Sequence, residues 1–231
     1  MLTPREKRLL YEFQQVRTLQ TPYSLFEIIC GRLTPAESTE FLKAGMSPEV
    51  IADGLKSEFL LPAEFERRYP GLPPEKYGVR YRCTGMGDKS TESSEHMMEV
   101  VFSLKYPSEA PIFVWLTPIW HPNFRRPYIC VQGRPFAVGL TLAQIILEVG
   151  RMVQYQNYNL ADPLNWEAAE WVRTNPRPFP VDNRDLRDWR NIVGPRRVSA
   201  PADGALVELV GEGGTGTMEG GALLELLPEE P

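Results

Sequence analysis

The sequence predicts an α+β fold in which an antiparallel β-meander is flanked by an N-terminal helix and by C-terminal helices. In residues 77–83 and again in 98–106, apolar residues alternate with polar ones, which is the period of a half-buried strand. Helical spacing of apolar residues appears instead in residues 9–19 and 142–153. The strand-like runs follow one another through short connections, which favours antiparallel pairing.

Composition and charge exclude several classes of protein. The 231 residues can bury a core, and 42% hydrophobic residues is ordinary for a soluble globular protein. A net charge of −5 without a long basic run argues against a nucleic-acid partner. No apolar run approaches the roughly 18 residues of a membrane span, and the N-terminus lacks the apolar core of a signal peptide. We therefore expect a cytoplasmic protein without a membrane or nucleic-acid partner.

The three cysteines are Cys30, Cys83 and Cys130, which are widely spaced and form no CxxC pair. An odd number of isolated cysteines is typical of reduced thiols and not of a disulfide framework or a zinc site. We expect no metal and no cofactor.

The N-terminal segment predicts a helix followed by an edge strand. Thr3-Pro4-Arg5-Glu6 has the pattern of a capping box, and the helix is expected to end before Thr21-Pro22. Residues 24–30 are short and rich in β-formers, so they predict the strand. The polar side of the helix carries the basic residues Arg5, Lys7, Arg8 and Arg17.

Residues 33–69 differ in character and predict a helical insertion. Thr34-Pro35-Ala36-Glu37 repeats the capping-box pattern, and Ser47-Pro48-Glu49 opens a second helix. We interpret the pair as a helical hairpin, for which simple packing against the main domain is the plainest role.

Three strands should follow, in residues 77–83, 98–106 and 112–117, with a polar hairpin loop at 85–96. After them, Thr141-Leu142-Ala143-Gln144 is another capping box and begins the strongest helical pattern in the chain.

The C-terminal part predicts two further helices and a tail. Asp162-Pro163 is expected to start one helix, with Asp162 as its N-cap, and a short polar helix is expected around 183–190. Residues 201–231 contain seven acidic residues and no Lys or Arg, a composition that favours a flexible tail. We therefore predict a domain at 1–195 and a flexible, Gly- and Glu-rich tail at 196–231.

The segment 117–130 is the candidate site. Its three prolines fix φ and remove backbone donors, so it should be a rigid irregular loop. The loop contains His121-Pro122-Asn123 and, seven residues after the asparagine, Cys130. A lone free cysteine is most often a small buried apolar residue, but a rigid loop that carries His, Asn and Cys is a place to expect chemistry.

The order of these motifs resembles the ubiquitin-conjugating enzyme family over about residues 72–174. The resemblance depends on five motifs in the right order: Tyr106-Pro107, His121-Pro122-Asn123, Ile129-Cys130, Leu140-Thr141 and Asp162-Pro163-Leu164. It implies the fold of that family and an enzyme that transfers a ubiquitin-like protein.

By this resemblance, Cys130 is the nucleophile that accepts the modifier from an activating enzyme as a thioester and passes it to a lysine of a target protein. Asn123 would donate to the oxyanion or brace the loop. His121 would hold the turn, and Asp162 would receive the lysine. Separately, the basic side of the first helix predicts a docking surface for the activating enzyme, formed by Arg5, Lys7, Arg8 and Arg17.

The sequence also departs from the family. The run from Asn123 to Cys130 is one residue shorter than in the eukaryotic enzymes, and Phe136 stands where those have tryptophan. Residues 137–139 replace the Ser-Pro-Ala that ligases contact, so a ligase of the RING type is not expected to dock in the usual way. The insertion and the tail look more like the bacterial members that are encoded with an activating enzyme and a ubiquitin-like protein in some antiphage systems.

Two alternatives remain open. The first is an inactive variant of the same fold that only binds a ubiquitin-like protein or an activating enzyme, although such variants typically lack the cysteine. The second is a cysteine hydrolase with a Cys130–His121 dyad, for which the sequence offers no supporting Asn or Asp pattern.

Overall fold

The computed structural model describes residues 2–54, 58–131, 140–175 and 179–193. The helices are α1 (Pro4–Arg17), α2 (Pro35–Ala44), α3 (Pro48–Gly54), α4 (Pro62–Arg68), α5 (Leu142–Val153) and α6 (Trp166–Thr174). The strands are β1 (Phe26–Gly31), β2 (Lys76–Tyr81), β3 (Gly85–Met86), β4 (Glu92–Ser93), β5 (His96–Val101), β6 (Ile112–Trp115), β7 (Phe124–Arg125) and β8 (Tyr128–Ile129).

The main sheet is an antiparallel meander with the strand order β1-β2-β5-β6. Val79 marks the register, because it lies opposite Ile28 on one side and Met98 on the other. These three side chains are buried on the sheet face that packs against the main core. Side chains alternate between the two faces of a strand, so the period of two in the sequence was enough to predict this face. The predicted α+β meander with flanking helices is confirmed.

Helices α1 and α5 cover the inner face of the sheet. Both begin with the predicted capping box, at Thr3 and at Thr141. Their apolar sides contribute buried residues such as Phe13 and Ile146 to the main core. Burial of each such side chain stabilises the fold by about 1.5–3 kcal/mol relative to exposure.

Helices α2 and α3 of the insertion pack on the outer face of the same sheet. Phe41 and Ile51, from the two predicted helices α2 and α3, form a second apolar cluster with Val101 and Val114. Packing against the main domain, the plainest role for the insertion, is therefore observed. The third helix, α4, was not predicted.

The ends of two predicted strands and one predicted helix are wrong. The second strand of the predicted meander ends at Val101 and not at residue 106, because the chain turns so that Tyr106 reaches Glu12 on α1. The last strand ends at Trp115. Residues 183–190 form no helix, since the aspartates there accept main-chain N–H groups two residues ahead and so favour turns over helix.

The tail at 196–231 lies outside the described residues, so its predicted flexibility and the domain boundary at 195 stay predictions. In the described part of the chain, no helix is both long and apolar enough to cross a membrane.

Candidate active site

A short hairpin formed by β7 and β8 positions Cys130. Arg125 pairs with Tyr128 at its turn end, and the Cys130 N–H donates to the Asn123 carbonyl at its open end, at 2.9 Å. The hairpin is attached to the main sheet by the Trp115 N–H, which donates to the Pro127 carbonyl at 2.9 Å. The short run from Asn123 to Cys130 is therefore a closed hairpin that places the two residues opposite each other.

His121 is fully buried and stabilises the turn before this hairpin. Its Nδ1 accepts the Asn123 N–H at 3.0 Å, and the rings of Phe124 and Tyr155 lie 4.9 and 4.6 Å away, centroid to centroid. Burial lowers the pKa of His121 to about 3, although the main-chain carbonyls of Asn157 and Met152 act in the opposite direction. The ring is neutral at physiological pH, and because Nδ1 accepts a hydrogen bond its one N–H proton is on Nε2.

Asn123 joins the hairpin to the loop that follows α5. Its Nδ2 donates to the Asn159 carbonyl at 3.2 Å, and its Oδ1 accepts the Asn159 N–H at 2.8 Å. The Asn123 side chain is completely buried. Both ends of the amide are thus used in bracing, which is one of the two roles that the sequence suggested.

The segment from Asn159 to Trp166 runs along the His-Pro-Asn turn. The Asn165 N–H donates to the Pro122 carbonyl at 2.9 Å. The next helix begins at Trp166, where the Asn165 side chain accepts the Ala168 N–H as N-cap. The prediction that Asp162 caps this helix is therefore wrong, because Asn165 supplies the cap three residues later. A pattern of Asn before Trp-Glu, with the acid in the first turn, was the signal available in the sequence.

Asp162 is exposed and acts electrostatically on Cys130. The pKa of the Cys130 thiol is raised, first by burial and then by the Asp162 carboxylate. Arg125 and Arg126, at the turn end of the hairpin, do not reverse this effect, so the thiol carries its proton at neutral pH.

Of the three cysteines, only Cys130 is partly exposed. Cys30 and Cys83 are fully buried, and burial raises the pKa of both thiols, that of Cys30 to about 12. Buried, protonated thiols are inert. The structure therefore leaves Cys130 as the one accessible nucleophile among the cysteines.

Tyr155 supports the site from behind and was missed in the sequence. Its φ of 58° lies in the left-handed region, which is unfavourable for a residue with a large side chain. The hydroxyl donates to the Trp120 carbonyl, and the ring packs against His121 and Phe179. These contacts hold the strained residue in place. No sequence pattern marks it.

The four basic residues of α1 differ in their surroundings. Arg5 pairs with Glu75 at 3.0 Å, Arg8 with Glu12 at 2.7 Å and Arg17 with Glu66 at 2.8 Å. Lys7 is exposed and has no ion pair with any residue that the structure describes. It is the member of the predicted docking surface whose charge is most available to a partner.

The arrangement suits acyl transfer through a thiol and does not suit a thiolate–imidazolium dyad. Within the described ranges, no hydrogen bond joins the His121 ring to Cys130, and Nδ1 is already occupied by the Asn123 N–H. An accessible thiol, a braced turn and an exposed carboxylate beside the thiol are instead suited to an amine that attacks a thioester. The described residues contain no cluster of three His, Cys, Asp or Glu that could hold a metal ion.

Comparisons with known proteins give few relatives in sequence. No curated protein matches the chain. An E2 domain of a ubiquitin conjugating enzyme from Toxoplasma gondii is similar in structure at 22% identity and a TM-score of 0.35, covering 44% of this chain and 71% of that one. Ubc12 of S. cerevisiae is similar at 19% identity and a TM-score of 0.45, covering 75% of this chain and 73% of that one. Residues 79–186, a little under half of the chain and the part that contains the whole candidate site, match the family model described as ubiquitin-conjugating enzyme.

Proposed function

We propose that the protein is a conjugating enzyme for a ubiquitin-like protein and that Cys130 carries the modifier as a thioester. The observation that carries this proposal is the position of Cys130, which has the only accessible thiol among the described cysteines. Its N–H is bonded to the carbonyl of Asn123 in the His-Pro-Asn turn, and its thiol is close enough to the Asp162 carboxylate to feel that charge. The family match over residues 79–186 supports it.

The reaction has two steps. In loading, the Cys130 sulfur attacks the carbonyl of a thioester on the activating enzyme. A new C–S bond forms and the old one breaks; the activating enzyme's sulfur leaves as a thiolate, and the proton of the Cys130 thiol passes to solvent or to that departing sulfur. In transfer, a lysine amine of the target attacks the Cys130 thioester. A C–N bond forms, Cys130 leaves, and the amine loses a proton to solvent or to the departing sulfur.

The neighbouring residues have separate roles. Asn123 and His121 hold the turn that positions the hairpin, because the Asn123 amide is bonded to Asn159 and the His121 ring is bonded to the Asn123 N–H. Asp162 attracts the lysine ammonium to the thioester, where burial against the acyl group favours the neutral, nucleophilic amine. Thioester exchange itself needs little energy, so positioning is the main requirement.

The partners are a ubiquitin-like protein, an activating enzyme and a lysine-bearing target, with a ligase as a further candidate. The helical insertion and the departures after Cys130 favour a bacterial conjugation system of the antiphage type. Genes for an adenylating enzyme and a β-grasp protein beside this one would support that setting, and their absence would contradict it.

Thioester formation is tested by incubating the protein with its activating enzyme, ATP and the ubiquitin-like protein. We expect an adduct that dithiothreitol cleaves and that is absent in Cys130→Ala. Cys130→Ser should give an ester that resists dithiothreitol, and Cys83→Ala should load like the unmodified protein. An adduct that persists in Cys130→Ala would refute the site. Binding of the modifier without any adduct would favour the inactive, binding-only variant.

A further inference from the structure

Trp166 is an unusually exposed aromatic residue. It is 63% exposed and is the most exposed of the five tryptophans; Trp189 follows at 47% and Trp115 is fully buried. A tryptophan in this state leaves a large apolar surface in water, and such surfaces commonly mark binding sites. Tryptophan is also enriched among the residues that dominate the binding energy of interfaces.

The backbone places Trp166 next to the candidate active site. Pro122 and Asn123 are consecutive, and their two carbonyls have different partners. The Pro122 carbonyl accepts the Asn165 N–H and the Asn123 carbonyl accepts the Cys130 N–H, both at 2.9 Å. The turn is therefore bonded to the nucleophile on one side and to the residue before Trp166 on the other.

The surface around Trp166 is acidic. Asp162 and Glu167 are exposed, and neither has an ion pair with any residue in the described part of the chain. Glu170 is different, because it pairs with Arg173 at 3.4 Å. Two exposed carboxylates, four residues before the tryptophan and one after it, complement a cationic partner, and the face of the indole ring also attracts ammonium groups.

The turn end of the hairpin has the opposite charge. Arg125 and Arg126 are exposed at the turn end of the hairpin, whereas Cys130 lies at its open end. A cationic segment is therefore attracted on the side of Trp166 and repelled on the side of the hairpin turn.

We propose that Trp166, with Asp162 and Glu167, recognises the acceptor as a basic segment around the modified lysine. The indole ring packs on the methylene stem of a lysine or under a neighbouring cation, while the two carboxylates select positive charge beside it. This inference rests on the proposed function and adds the chemical class of the acceptor.

The experiment compares discharge of the Cys130 thioester to three nucleophiles: hydroxylamine, a peptide with one lysine flanked by arginines, and a peptide with one lysine flanked by glutamates. We expect the arginine-flanked peptide to discharge the thioester faster than the glutamate-flanked one. In Trp166→Ala, discharge to the arginine-flanked peptide relative to hydroxylamine should fall about tenfold, mainly through a higher KM. Trp189→Ala is the matched control and should behave like the unmodified protein. Equal effects of the two substitutions would overturn the proposal.

Charge reversal gives a second readout. Glu167→Lys should shift the preference from the arginine-flanked towards the glutamate-flanked peptide, and an unchanged preference would contradict the role of the acidic surface.

The unloaded protein can be tested separately by titrating the arginine-flanked peptide while following the five indole N–H signals by NMR. A shift of the Trp166 signal supports the recognition surface even if no thioester forms, and the absence of a shift overturns it. Failure of thioester formation, by contrast, refutes the proposed function.

Discussion

Burial, and after it the Asp162 carboxylate, raises the pKa of the Cys130 thiol in the candidate active site. The two residues come from different elements, since Cys130 ends the hairpin and Asp162 lies in the loop before α6. Their proximity opposes thiolate formation, which disfavours a role for Asp162 in activating the sulfur. The position of the Asp162 carboxylate is instead consistent with attracting a cationic acceptor to the thiol.

Asp162→Asn should make Cys130 more reactive towards iodoacetamide, because removing a negative charge lowers the pKa of the thiol and increases the thiolate fraction. At pH 7.5 we expect about a two- to fivefold faster alkylation, limited by the lower nucleophilicity of a less basic thiolate. Mass spectrometry of the native protein measures this, with Cys30 and Cys83 as internal references that should stay unmodified. Glu167→Gln is the control. Asp162→Asn should also slow discharge of the thioester to lysine. Faster alkylation together with unchanged discharge would show that Asp162 has no role in the proposed transfer step.

Asn123→Ala should destabilise the protein by about 2 kcal/mol, because it leaves the partly buried N–H and carbonyl of Asn159 without these partners. Urea unfolding measures the loss. Asn159→Ala is the matched control, since it keeps that main chain and removes only the bond from the Ala161 N–H to the Asn159 side chain. We expect the control to lose less stability. A large loss of thioester loading in Asn123→Ala without a loss of stability would instead indicate an oxyanion donor.

Glu12→Ala should cost about 3 kcal/mol, because one buried carboxylate connects three partners. It accepts the Tyr106 hydroxyl at 3.0 Å and the Leu142 N–H at 2.8 Å, and it pairs with Arg8. The Leu142 N–H belongs to the first turn of α5, so Glu12 also compensates the positive end of that helix. Thermal or urea unfolding measures the effect.

The control for Glu12 is Glu6→Ala on the same helix. Glu6 contributes only the exposed half of the capping box, so a clearly smaller loss of stability is expected. Equal losses for the two substitutions would show that the connection between α1 and α5 does not stabilise the fold.

His121 should stay neutral down to about pH 5. Its pKa in the folded protein is about 3, against an ordinary value of 6.5, so the unfolded chain binds more protons between these values. This residue therefore contributes stability above pH 6.5 that is lost as the pH falls, by up to about 1.4 kcal/mol per pH unit. NMR of the two histidine side chains measures the titration directly. A midpoint for His121 near 6.5 would contradict the buried, turn-holding role.

Bulk unfolding cannot replace that measurement, because Glu99 acts in the opposite direction. Burial raises the pKa of Glu99 to about 7, so the folded state binds more protons there and loses stability as the pH rises from about 4.5 through 7. In Glu99→Gln, the pH dependence of unfolding should become steeper on the acid side, since the opposing contribution is gone.

Lys7→Glu should slow loading of Cys130 by the activating enzyme. Lys7 is the exposed cation of α1 without an ion pair in the described ranges, whereas Arg5, Arg8 and Arg17 are compensated within the protein. Exposed charges act mainly on association, so we expect a several-fold lower loading rate that is recovered at high activating-enzyme concentration. Lys43→Glu, an exposed charge reversal on α2, is the control. Equal loading rates in the two variants would refute α1 as the docking surface.

Much of the fold was accessible to prediction because its signals are local. The period of two along Tyr77, Val79 and Tyr81 predicted the inner face of the sheet, and the capping boxes at Thr3 and Thr141 predicted where α1 and α5 begin. The strand that was expected to run to residue 106 shows the limit. Its alternation continues past Val101, but a buried contact between Tyr106 and Glu12 turns the chain away.

Part of the candidate site was likewise predicted from the sequence, and part of it was not. The order of the motifs identified Cys130, His121, Asn123 and Asp162 together, and the structure brings all four residues into one region. The sequence did not show that Asn165, and not Asp162, caps α6, because both residues are good caps close to a plausible helix start.

The sequence by itself determined the antiparallel meander, the helices on either side of it and the candidate nucleophile, because periodicity, caps and motif order are properties of neighbouring residues. Only the tertiary structure decided that both ends of the Asn123 amide are bonded to Asn159, that Glu12 connects α1 to α5, and that the residue before Trp166 is bonded to the His-Pro-Asn turn. Each of these depends on residues far apart in the chain, whose hydrogen bonds and burial leave no pattern in the local sequence.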